Sequence, residues 1–136
     1  MGTNIFVNIP TNDLDKSKAF YTALGFGINP LFTDENAACI VIDENIFFMV
    51  LTREFFATFT DKAVADPKTT AQALIALSRE SRESVDEVMA AALAAAIEGG
   101  AAPDLIMLGT TQDGRDIAAR LSVKLDKPVL TNNVDV

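Results

Sequence analysis

Asn12-Asp13-Leu14-Asp15-Lys16-Ser17-Lys18-Ala19-Phe20-Tyr21-Thr22-Ala23-Leu24-Gly25-Phe26 reads as one short helix with both ends marked. Asn12 or Asp13 can accept backbone N–H bonds at its start, and Asp15 lies where the helix dipole favours negative charge. Gly25 stands where a helix ends in a left-handed residue, with Phe26 folding back as the apolar contact. Leu14, Phe20, Tyr21 and Leu24 form an apolar stripe, while Lys16 and Lys18 face water.

Outward from this helix the pattern changes to strands. Residues 4–9, with the β-like run Ile5-Phe6-Val7-Asn8-Ile9, form a first strand, and Pro10-Thr11 leads into the helix. Residues 28–32 form a second strand, in which Pro30 marks an edge or a bend. Residues 33–36 are a turn, 37–42 a third strand apolar on both faces, 43–45 a turn, and 46–51 a fourth strand rich in Phe and Val. The result is a β-α-β-β-β unit. Its opening, and the wording DLDKSKAFYTALGF in particular, resembles the vicinal oxygen chelate superfamily of glyoxalase, bleomycin-resistance and extradiol-dioxygenase proteins, over about residues 1–97.

Residues 52–60 (TREFFATFT) predict a short helical connection carrying Phe55, Phe56 and Phe59, and the polar stretch 61–70 with Pro67 predicts a loop. Residues 71–77 (AQALIAL) read as a fifth strand, although their Ala and Leu content leaves helix open. A turn over 78–82 precedes a second major helix. Ser84-Val85-Asp86-Glu87 fits a capping box, Val85, Val88, Met89, Ala92, Leu93 and Ala96 form the stripe expected to face the core, and Glu98-Gly99-Gly100 stops the helix. Beyond it come an apolar strand over 103–109, a turn over 110–114 and an amphipathic helix over 115–125 with Ile117, Ala118, Leu121 and Leu125 inward. Asp126-Lys127-Pro128 breaks that helix, and 129–132 is a last strand. Strand, helix and strand with short loops imply a parallel pair joined by a right-handed crossover.

The segment PDLIMLGTTQDGRDIAARLSVKLDKPVLTNNVDV, above all DGRDIAARL followed by PVLTN, resembles a different family: the N-terminal domain of the electron-transfer flavoprotein alpha subunit, over about residues 101–136. The alanine-rich helix is an element that either family can donate. The chain therefore reads as a chimera, engineered or recombined at a shared strand–helix element. The expectation is a single hybrid α/β domain over 1–136, glyoxalase-like for 1–97 and flavoprotein-like for 98–136. Its β-α-β-β-β unit is followed by β-α-β-α-β, giving a mixed sheet with packed helices.

Composition bounds what such a chain can do. It has 136 residues, 49% hydrophobic and 22% charged, enough for one real core. Nineteen acidic residues against 11 basic ones give a formal charge of −8, which argues against a nucleic-acid surface. No apolar run reaches the ~20 residues that cross a bilayer, and the polar start is no signal peptide, so no membrane partner and a cytoplasmic location are expected. Cys39, the single cysteine, sits in an apolar run and reads as a small buried hydrophobe. There is no histidine, which removes the commonest general base and excludes Ser-His-Asp and Cys-His catalysis.

The first resemblance implies a metal ligand from the opening strand, at the position that Phe6 occupies here. It implies a carboxylate near the end of the fourth strand, where Ile46-Phe47-Phe48-Met49-Val50-Leu51 has none. A metal held by Asp13, Asp15, Asp34 or Glu44 would need oxygens converging in space, and their spacing does not provide it. Phe20, Phe47, Phe48, Phe55, Phe56 and Phe59 read as core rather than as pocket lining, and the Tyr21 hydroxyl as facing water. Thr110 to Arg115 opens a helix after a strand, where free N–H groups can hold an anion, but it matches no phosphate-binding fingerprint. Capping by Thr111 or Asp113 accounts for it, with Arg115 and Asp116 as a surface pair. The second resemblance implies that FAD is held mainly by another domain. No catalytic, cofactor-binding or metal residue is therefore assigned, and no cofactor is expected. A small apolar ligand is the alternative function, with a metal-dependent enzyme of the glyoxalase or dioxygenase kind behind it. A homodimer that supplies the missing half of the cup is a possible partner state.

Overall fold

The computed structural model describes residues 2–100 and 112–125. They fall into two compact units, one ending at Ala76 and the other starting at Leu77.

The first unit begins with β1 (Ile5–Thr11) and α1 (Leu14–Ala23). Of the two candidate caps, Asp13 is the one used: its carboxylate accepts the Lys16 N–H at 3.0 Å. At the other end Gly25 is left-handed, with φ 95°. The Gly25 N–H donates to the Thr22 carbonyl and the Phe26 N–H to the Tyr21 carbonyl, the paired bonds that close a helix at such a glycine. β2 (Gly27–Asn29), β3 (Ala37–Asp43) and β4 (Ile46–Thr52) follow, and then the short helix α2 (Arg53–Ala57).

The sheet order is β1-β4-β3-β2, with β1 parallel to β4 and the other two pairs antiparallel. That order follows from the connections. The α1 crossover sets β2 parallel to β1, and two reversals then bring β4 back in the same direction. α1 covers one face. Leu14 packs with Ala38, Ile40, Phe48 and Val50, flanked by Val7, Ile9, Tyr21, Phe26, Ile28 and Ile42. Each large side chain fully buried here contributes about 1.5–3 kcal/mol of transfer free energy.

Several expected boundaries shift. β1 runs on through Pro10 to Thr11. β2 stops at Asn29, because Asn29 accepts the Leu31 N–H and Pro30 opens a 3-10 turn over Pro30–Phe32. Residues 71–77 form no strand and lie exposed, Leu74 at 96%. Alanine and leucine do not favour a strand by themselves, and no sheet edge pairs with them.

The second unit holds α3 (Arg82–Glu98) and α4 (Gln112–Leu125). The capping box sits three residues earlier than expected: Ser81 accepts the Ser84 N–H and the Ser84 hydroxyl accepts the Ser81 N–H, both at 3.2 Å. Serine replaces the carboxylate in that reciprocal role. Of the expected stripe, Leu93 packs against the buried cluster, but the fully buried positions fall elsewhere. Asp86, Ala90 and Ala94 are buried, while Val85 and Met89 stay exposed. Ala90 and Ala94 meet Leu121 of α4, and small side chains on the contacting ridge let one helix approach the other. α4 starts at Gln112, so the turn expected over 110–114 is helical from its third residue. Of its expected inner face, Leu121 is buried and Ile117 half-buried. The strands expected at 103–109 and 129–132 lie outside the described residues, as do Thr110, Thr111 and the side chains of Ala118 and Leu125.

Candidate functional site

The six phenylalanines do not converge. Phe48 and Phe20 belong with Tyr21 on the α1 face, Tyr21 meeting each edge-on with centroids 5.3 Å from Phe20 and 6.0 Å from Phe48. Phe47 points to the opposite face and stacks on Phe6. Phe55 and Phe59 form an edge-on pair at α2, 5.2 Å between centroids. Tyr21 is half-buried, and this burial raises its phenol above the usual value of 10.0.

Asp13, Asp34 and Asp43 accept backbone N–H groups. Asp13 caps α1, and Asp15 faces Lys18 at 3.4 Å. Asp34 accepts the N–H groups of Asn36 and Ala37, and Asp43 that of Glu44. Glu44 is exposed in the β3–β4 turn. Among the described residues no three histidine, cysteine or acidic side chains cluster closely enough to hold an ion. Cys39 is fully buried, its thiol pushed up from its usual 9.0 by desolvation. It is the small hydrophobe its sequence context suggests. The Arg115 side chain lies outside the described residues, so its pairing with Asp116 does too.

One concave feature stands out in the first unit. A groove of about 300 Å³ runs along β1 at Val7, Asn8, Ile9 and Pro10. Its other wall is Ala65, Pro67, Thr70, Ala71, Gln72, Ala73 and Ile75. Arg53 anchors that wall by donating to the carbonyls of Ala65 and Val64, at 3.0 and 3.1 Å. The lining is apolar except for Asn8, Thr70 and Gln72. No local pattern announces this groove, because its walls lie about sixty residues apart and one of them reads as a strand.

Comparison with known proteins separates the two halves. The sequence pattern of the electron transfer flavoprotein domain matches residues 61–136, more than half of the chain. The chain belongs to the electron transfer flavoprotein domain family. This flavoprotein-family match takes in the whole of α3. Residues 3–43 match a second pattern, the bleomycin resistance protein-like N-terminal domain, so the composition is two-part. A solved structure of a hypothetical protein from S. aureus resembles the fold at TM-score 0.57 and 23% identity, over 83% of this chain and 80% of that one. No curated protein matches the chain. Among the described residues no helix is long and apolar enough to cross a membrane.

The flavoprotein family implies a flavin. The described residues of the match offer α3 and α4 meeting through Ala90, Ala94 and Leu121, with the Asp86 carboxylate on the same face. An apolar helix contact bearing an anion does not fit a cofactor with a diphosphate.

Proposed function

We propose that the chain is a recombined two-family α/β protein without catalytic chemistry of its own. The Phe6–Phe47 stack carries this reading. At the position where the first resemblance implies a metal ligand, the side chain is an aromatic ring packed on a second ring, and neither can coordinate a divalent ion. The nearby acids support it, since they are engaged in caps and turns. The test is to incubate the purified protein with Mn²⁺, Ni²⁺ or Zn²⁺, dialyse, and measure retained metal and turnover of glyoxalase-type and ring-cleavage substrates. Neither metal nor turnover is expected. Stoichiometric retention with turnover overturns the reading.

A second reading is supported by the groove along β1, whose apolar walls and three polar side chains suit a small apolar molecule. Titration with an environment-sensitive apolar dye tests it. Enhanced fluorescence that the Ala73→Trp variant abolishes is expected, and an unchanged signal in that variant rejects the groove as the site.

A further inference from the structure

We infer that the groove along β1 takes a neutral molecule with an apolar ring and a lactam edge, held by the outward backbone N–H and C=O of Asn8. This rests on the reading of the groove as a site for a small apolar molecule and adds what that molecule must carry. Four consecutive residues, Val7 to Pro10, line the groove, and no residue of β4 does. Side chains alternate between the faces of a sheet, so a groove on one face would take every second residue. This one lies against the open edge of the strand.

The ladder decides which backbone groups it meets there. Ile5 donates its N–H to the Asn45 carbonyl, and Ile5 is in register with Ile46. In a parallel ladder one residue turns both its N–H and its C=O to the same neighbour, and the next residue turns both away. Ile5, Val7, Ile9 and Thr11 therefore serve β4, while Phe6, Asn8 and Pro10 turn outward. The Phe6 carbonyl receives the Asn8 side-chain amide, at 3.5 Å. Among the described residues no backbone hydrogen bond outside the ladders reaches the Asn8 N–H or C=O. These two groups are a donor and an acceptor side by side, and apolar walls supply them no partner. A lactam holds its own N–H and C=O on one side of the ring, so it satisfies both at once.

Pro10 limits the length of the occupant. A peptide strand added at this edge would run on past Asn8 and meet Pro10, which has no N–H to give. A molecule one amide long loses nothing there. The groove volume of about 300 Å³ agrees, since it stands at the small end of ligand sites, about 300–1,000 Å³. Charge narrows the class further. Of the chain's residues 22% are charged, yet none of those lining the groove is. An ion would leave water for walls without a counter-charge, and the net charge of −8 opposes an anion in particular.

The experiment uses the full chain, the environment-sensitive dye and three competitors: 2-quinolone, which has the lactam edge, N-methyl-2-quinolone, which has lost its N–H, and 2-naphthoate, apolar and anionic. 2-Quinolone is expected to displace the dye and to shift the Asn8 amide resonance in a ¹⁵N-labelled sample. N-methyl-2-quinolone is expected to bind at least about tenfold more weakly, because the Asn8 carbonyl is left unpaired, and 2-naphthoate more weakly still. Equal binding of the two quinolones, both lost in Ala73→Trp, overturns the lactam edge and leaves the apolar groove standing. So does a dye that Ala73→Trp abolishes but 2-quinolone does not displace. Binding of 2-naphthoate as tight as that of 2-quinolone overturns the neutral class. An Asn8 amide that stays in place while 2-quinolone binds overturns the assignment to Asn8. A dye signal that Ala73→Trp leaves unchanged rejects the groove itself, and this inference with it.

Discussion

The rings of Phe6 and Phe47 stack with centroids 4.9 Å apart and planes 14° from parallel. They are register partners on β1 and β4, so the contact joins the crossover strand to the last strand of the meander on the face away from α1. An aromatic pair adds about 0.5–1.5 kcal/mol beyond the area it buries. Phe6→Ala is expected to lower stability by about 1–2 kcal/mol, below the cost of a fully buried ring because half of Phe6 is in water. Phe6→Leu should recover the buried area and not the stacking. Urea unfolding at concentrations where the protein is monomeric measures both.

Tyr21 gives the first unit an alkaline limit. Burial raises its phenol above 10.0, because the packed ring disfavours the ionised oxygen. A group raised on folding contributes stability that is fully present below its unfolded pKa and is lost as pH climbs through its folded pKa. Stability should thus be flat with respect to Tyr21 up to about pH 10 and fall above it. Tyr21 is the only tyrosine and there is no tryptophan, so tyrosinate absorbance follows this one group. Tyr21→Phe should retain the edge-on contacts to Phe20 and Phe48 and lose this component of the alkaline fall.

The segment joining the units should be where a protease cuts first. Residues 71–80 are exposed without exception, and among the described residues no backbone hydrogen bond holds 71–80 to the sheet. Cleavage follows exposure and lack of backbone pairing. Brief digestion with an enzyme that cuts after leucine is expected to cut first at Leu74 or Leu77, ahead of the buried Leu14 and Leu51. Mass spectrometry of the early fragments checks this.

What could be read from the sequence was local. Asp13 and Gly25 signal the ends of α1 through their own backbone preferences, and the structure uses both. The alternation of turns and apolar runs gave three of the four strands nearly to the residue. The readings that failed depended on partners distant in sequence. Residues 71–77 look like a strand only if a strand edge accepts them. The bulky residues of α3 were expected inward, yet the helix facing α3 is met by Ala90 and Ala94. The groove was illegible for the same reason, as was the role of Asn8 against the Phe6 carbonyl. On the site itself, the mismatch at Phe6 was legible, because it rests on residue chemistry and needs no packing.

Among the described residues of the second unit, Asp86 is one whose replacement should raise stability. It is 2% exposed, one turn before Ala90 on the buried face of α3. Among the described residues no hydrogen bond or ion pair reaches its carboxylate, while its neighbour Glu87 takes Arg120 at 3.6 Å. It lies beyond the first helical turn, where the dipole would favour it. Removing a buried polar group that lacks a partner recovers about 1–3 kcal/mol, and alanine is the better helix former by about 0.5 kcal/mol. Asp86→Ala is therefore expected to stabilise the α3–α4 pair by about 1–3 kcal/mol, seen as a later loss of helical circular dichroism in urea. Asp86→Leu should not reproduce the gain, because a side chain of that size in a contact built from alanines is overpacked. If Asp86→Ala instead destabilises, the carboxylate has a favourable interaction within the fold.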